Sequence, residues 1–134
     1  MTRYLGRKIR MAKKIERQAH SIFVVGKPEP HPRPRRGMYG NFYTPQTIWF
    51  QKVRQCALAR LPKPPFAGPV VVIIKFIFEI KKSTPKDAVW MDKRPDLDNL
   101  EKTVLDALTA SGWWDDDSQV VVIESSKRWC NFAA

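Results

Sequence analysis

Three apolar patterns in the second half of the chain, in fixed order, constrain its fold most. They are a Val, Ile and Phe-rich run from Pro69 to Ile80, the stripe Leu97, Leu100, Val104 and Leu108, and a second valine-rich run from Val120. In the first run only Lys75 and Glu79 are charged, and that β-branched and aromatic mixture predicts a long, mostly buried central strand. The stripe, at i, i+3, i+7 and i+11, predicts an amphipathic helix ending near Gly112. Val120 to Lys127 predicts a last strand.

The first half adds shorter signals. Ser21-Ile22-Phe23-Val24-Val25 reads as a first strand, ended by Gly26 and by a stiff basic loop whose prolines alternate with Lys27, Arg33, Arg35 and Arg36. Met38 to Tyr43 is expected to be extended. Thr44, with Pro45 at the first helical position, suits a helix cap, and Ile48, Val53, Cys56, Ala57 and Arg60 follow at helical spacing to about Leu61. Pro62, Pro64 and Pro65 end that helix. The expectation is an α+β fold: a single domain with a mixed β-sheet and two main helices packed on it. A chain of 134 residues suits one such domain, assigned to residues 21–134, and shows no internal repeat.

Charge narrows the partner. Lys and Arg number 24 against 13 Asp and Glu, a formal charge of +11, and the pI is about 10.0. Such a surface seeks a polyanion, nucleic acid before an anionic membrane. The longest apolar run, Val70 to Ile74, falls far short of the ~20 residues of a spanning helix. Residues 1–20 hold seven Lys and Arg against Glu16 alone. They form a basic extension, read equally as an arm ordering on phosphates and as a solvated tail. This N-terminus lacks the apolar stretch of a secretory signal. Cys56 and Cys130 are far apart and outside any CxxC, so they are expected to be buried, unbridged thiols in a reducing cytoplasm.

Against this basic background, eight of the 13 acids fall within residues 92–117. Crowded carboxylates repel, and a bound cation supplies the missing charge. Hard oxygen ligands suit Mg²⁺ or Mn²⁺, the ions of phosphodiester hydrolysis. Asp96-Leu97-Asp98 stands where the second helix begins, so both carboxylates can aim to one side while Leu97 faces the core. The competing structural account makes Asp98 an N-cap and Glu101 its capping-box partner. Lys102 and Asp106 follow Asp98 at four-residue steps, either as an exposed ion-pair ladder or with Lys102 free for a phosphate. The run Trp113 to Gln119 returns acids toward the start of the helix only if the connection doubles back. The two tryptophans read as core or interface anchors before base-stacking groups.

These residues resemble the RusA family of Holliday junction resolvases. The resemblance rests on Arg94-Pro-Asp-Leu-Asp-Asn-Leu-Glu-Lys102, Leu105-Asp-Ala-Leu108, and Trp114-Asp-Asp-Asp-Ser-Gln-Val-Val121. Gly26-Lys-Pro-x-Pro-His-Pro-Arg-Pro-Arg35 and Tyr43-Thr-Pro45 add to it, so that it runs from about Ser21 to Lys127. It implies metal-binding Asp96, Asp98 and Asp117, with Asp116 the alternative to Asp117, and a catalytic Lys102. It also implies a homodimer, Mg²⁺ with Mn²⁺ as substitute, and paired symmetrical nicks in four-way DNA junctions, without a small-molecule cofactor or a membrane. Lys27, Arg33, Arg35, Arg36, Arg94 and Lys102 are the candidate DNA contacts.

Two other readings compete. A non-catalytic nucleic-acid-binding protein, of the phage regulator type, needs only the basic charge. A nuclease of another kind could use Glu79-Ile80-Lys81, an E-x-K at a strand end.

Overall fold

The computed structural model describes residues 19–43 and 46–130. Most of the basic extension, and the Thr44-Pro45 cap site, lie outside the described residues. The elements run β1 (Arg35–Arg36), β2 (Phe42–Tyr43), α1 (Ile48–Ala59), β3 (Val70–Phe78), α2 (Leu97–Ser111), a 3₁₀ turn (Asp117–Gln119) and β4 (Val120–Trp129). This is a small α+β domain.

The centre is a β-α-β unit. β3 and β4 pair in parallel, with Val71 opposite Val122 and Phe78 opposite Trp129. α2 covers one face of the pair, because its stripe meets the inward side chains of the strands: Val72, Phe76, Phe78, Leu100, Val104, Leu108 and Trp129 form one buried cluster. Gly112 ends α2 at φ 88°, a left-handed conformation that a side chain disfavours. Trp113 and Trp114 are buried. Their indole N–H groups donate to Ala57 O and Thr109 Oγ1, each at 2.8 Å, so both act as the expected anchors. α1 packs on α2 through Trp49, Val53 and Ala107.

Several expectations are corrected. The sheet is not one mixed sheet: β3–β4 is a parallel pair and β1–β2 a separate antiparallel hairpin. Ser21–Val25 is not a strand. It alternates as one, with Ile22 and Val24 packed on the two core clusters and Phe23 and Val25 outward. A cleft of about 1610 Å³ separates it from β3, so no ladder forms. β3 is buried on one face only, since Val71 and Ile73 are exposed on the other.

Helix α1 starts later than expected. Its cap is Thr47, whose Oγ1 accepts from Phe50 N at 3.1 Å. Its buried face is Trp49, Val53 and Ala57, four residues apart, which leaves Ile48 exposed. Met38–Tyr43 is a turn and a two-residue strand rather than an extended run. Cys56 and Cys130 are unbridged but half-buried, not buried. Among the described residues no helix is long and apolar enough to cross a membrane.

Candidate active site

The first helical turn of α2 carries the paired aspartates. Asp96 is the N-cap residue by backbone geometry, yet its side chain makes no capping hydrogen bond. Asp98 accepts from the N–H of Asn99 at 2.9 Å. Glu101, the supposed capping-box partner, instead accepts the hydroxyl of Ser125 on β4. The capping account of the D-x-x-E is therefore corrected: the N-cap position is Asp96 and not Asp98, and Glu101 is not spent on the helix end. Both aspartates are exposed at the N-terminal end of the helix.

What holds this corner was not legible in the motif. Lys127, on β4, donates from Nζ to the carbonyls of Lys93 at 2.6 Å and Pro95 at 2.8 Å, fixing the turn that delivers Asp96. Its partners lie 34 and 32 residues away in sequence, so no local pattern signals it. From the other side, His31 N donates to Asn99 O at 3.2 Å and His31 Nε2 lies 3.2 Å from Asp106 Oδ2. The proline-rich loop is thereby tied to α2. Asp106 thus pairs with His31, and the Asp98–Lys102–Asp106 ladder is absent among the described residues. Lys102 stays exposed one turn beyond Asp98.

The third aspartate sits in the Trp114–Gln119 turn. Gln119 organises it: Oε1 accepts from the N–H of Asp115 and of Asp116, at 2.9 and 3.2 Å, while Nε2 donates to Phe66 O and Gly68 O, at 3.0 and 3.1 Å. Asp116 is the cap, accepting from Ser118 N at 3.1 Å, and that backbone hydrogen bond leads in lowering its pKa. Asp117 is left out of the capping. Its pKa is raised, first by the hydrogen bond it shares with Asp116, then by the repulsion of Asp116, with Asp106 adding to it.

The carboxylates divide between two places. Asp96 and Asp98 stand at the start of α2, whereas Asp117 comes up beside Asp106, farther along the same helix. Asp117 shares a pocket with His31, Thr103 and Asp106 instead. Among the described residues no three His, Cys, Asp or Glu side chains converge to hold one ion. Asp96 and Asp98 fit Mg²⁺ as donors: hard, exposed oxygens that leave most of an octahedral shell to water and phosphate.

The basic candidates are all on the surface. Arg94 is exposed two residues before Asp96, and Lys27, Arg33, Arg35 and Arg36 are exposed on the loop and hairpin. The Glu79-Ile80-Lys81 segment lies past the end of β3, where Lys81 N donates to Thr84 Oγ1 at 3.1 Å in a turn.

A parallel β-α-β domain with exposed paired aspartates at a helix start, Arg94 just before them and Lys102 one turn after, has the features of a phosphodiester-processing protein. Residues 25–132 match the family described as endodeoxyribonuclease RusA, and the chain belongs to that family. Among similar proteins, the crossover junction endodeoxyribonuclease of Lactococcus phage r1t is 37% identical over 59 residues, 44% of each chain. The RusA proteins of Escherichia coli K12 and Enterobacteria phage 82 are each 62% identical over 29 residues, 22% of this chain and 24% of theirs. The alignments thus span less than half the length of these relatives.

Proposed function

We propose that the chain is a metal-dependent endodeoxyribonuclease that cuts four-way DNA junctions by paired, symmetrical nicks, acting in recombination and repair in the cytoplasm. One observation carries this reading. In a chain matching the family over residues 25–132, the Asp96 and Asp98 carboxylates stand exposed with Lys102 one turn away, and Asp96 makes no capping bond. The resolvase relatives are named for crossover junctions, the substrate class adopted here.

Asp96 and Asp98 would hold Mg²⁺, or Mn²⁺ in its place, with Asp117 as a further ligand. Such an ion would supply polarisation of the scissile phosphate and a lowered pKa for the attacking water. Lys102 stabilises charge building on the phosphate oxygens. Lys127 and the Glu101–Ser125 bond keep the two aspartates aligned. Lys27, Arg33, Arg35, Arg36 and Arg94 contact the backbone of the branched DNA, and their binding should weaken steeply as salt rises.

The working unit is a homodimer. A junction has near two-fold symmetry, which a C₂ dimer matches with one site per opposing strand. The outer face of the β3–β4 pair supports this, because Val71, Ile73 and Val122 are exposed there, Ile73 at 63%, on a face that monomers seldom leave bare. Two-fold pairing also offers a way to join Asp117 of one chain with Asp96 and Asp98 of the other, which one chain does not do.

The test is cleavage of a labelled four-way junction and of a matching linear duplex in Mg²⁺, Mn²⁺ or EDTA. Paired nicks on the junction, lost in EDTA and in Asp96→Asn, are expected. Tight binding of the junction by wild type without any cut would turn the reading to a non-catalytic binding protein.

A further inference from the structure

Beyond the two arginines of β1, the β1–β2 hairpin has no use in the site described so far. Its strands are two residues each, with Arg35 opposite Tyr43 and Arg36 opposite Phe42. Its turn is tightly closed: Gly37 N donates to Asn41 O at 2.6 Å, and Gly40 N to Gly37 O at 3.1 Å. Glycine is needed at Gly40, whose φ is 82°, and a Cβ at Gly37 would lie 2.7 Å from Asn41 Oδ1, so that side chain would have to move. At the tip, Met38 and Tyr39 are each 93% exposed and Phe42 76%.

A short hairpin is marginally stable alone, and one that presents Met, Tyr and Phe to water gains nothing for the fold from them. These side chains are therefore free to meet a partner. The flanks show its charge: Arg33, Arg35 and Arg36 are exposed, and Arg36 Nη2 lies 3.9 Å from where a Gly40 Cβ would sit, close under the tip. The root shows its place. His31 ties the loop that leads into the hairpin to Asn99 and Asp106 on α2, the helix of Asp98 and Lys102.

We propose that this hairpin is a wedge that seats Tyr39 and Met38 against unstacked bases at the branch point of the DNA, while the arginines hold the flanking phosphates. The proposal rests on the junction-cutting reading above and adds how branched DNA is told from linear. In a continuous duplex the base faces are covered by stacking, so the tip finds only phosphates. At a branch point stacking is interrupted, and an aromatic or apolar side chain gains a base face. Phosphate contacts bind both substrates, whereas the tip binds one.

The experiment uses the full chain in Ca²⁺ buffer and a four-way junction with 2-aminopurine beside the branch point, compared with linear duplex carrying the same label. Wild type should raise the junction's emission several-fold. Met38→Ser/Tyr39→Ser should lose most of that rise and about tenfold or more of the preference for junction over duplex, with duplex affinity nearly unchanged. Tyr39→Trp should keep both, which shows that the fold tolerates substitution at the tip. The wedge is overturned if the double variant keeps both the emission rise and the preference, or if junction and duplex affinity fall together. Loss of the dimer in sedimentation, with the emission rise intact, would assign the tip to a second copy instead and also overturn it. Wild type that fails to prefer junction over duplex would sink the resolvase reading and the wedge together, an outcome distinct from the others.

Discussion

At the scale of the residue, the site depends on side chains that hold backbone. Gln119 satisfies four backbone groups from one amide. Its hydrogen bonds are neutral and half-exposed, and net values of about 0.5–1.5 kcal/mol each do not add fully. Gln119→Ala should therefore cost about 2 kcal/mol in urea unfolding, with an unchanged denaturant slope. Asp117 makes the opposite contribution. Its pKa in the folded chain is raised, so the folded state holds its proton more tightly than the unfolded state. Stability then falls as pH rises through the acid range, and the penalty is complete above the folded pKa. Asp117→Asn should raise the melting temperature at neutral pH, and the gain should vanish as pH falls below the ordinary carboxylate range. A gain that persisted in acid would contradict the assignment. The sequence motif D-D-x-Q contained Gln119 and Asp117 but not their division of labour. Which aspartate caps and which stays free follows from Ser118 N reaching Asp116, a matter of turn geometry.

At the scale of the element, α2 was the most legible part of the chain. Its apolar stripe, its glycine stop and the Asp-x-Asp at its start all agree, and local agreement of this kind needs no tertiary help. Gly112 tests it cleanly. Nothing lies within 4 Å of a Cβ built there, but its φ of 88° disfavours one. Gly112→Ala should cost about 1 kcal/mol through backbone conformation alone, read as a shift in unfolding midpoint with the cleavage rate unchanged. Ser21–Val25 shows the contrary case. Its alternation suits a strand and its side chains follow that alternation, yet a strand also needs a partner edge within hydrogen-bonding distance. The cleft beside β3 keeps that edge away. For α1, two apolar faces competed, and the larger Trp49 took the interior from Ile48.

At the scale of the whole molecule, the open question of where the carboxylates meet becomes a matter of symmetry. If each site joins Asp96 and Asp98 of one chain to Asp117 of its partner, a dimer of one Asp96→Asn chain and one Asp117→Asn chain has one site with both lesions and one intact. Mixing the two inactive variants should then restore single-strand nicking of the junction, toward about a quarter of the wild-type rate if dimers re-form at random and sites act independently. Sites confined to one chain would leave the mixture inactive. The basic balance of the chain belongs to this scale too, since a charge of +11 governs encounter with a polyanion and not the fold.

The sequence by itself determined the β-α-β unit, the placement of Asp96 and Asp98 where α2 begins, and the polyanionic class of partner. Those follow from periodicity, capping chemistry and net charge, which act over a few residues or need no geometry at all. Only the tertiary structure decided that Lys127 reaches back to Lys93 and Pro95, that His31 pairs with Asp106, and that Asp117 lies beside Asp106 and not with Asp96 and Asp98. Each of those depends on how a parallel pair and its crossover helix set distant segments side by side, and a parallel crossover runs the helix back along the full length of the strands. That is the physical reason why acids close in sequence are distant in space.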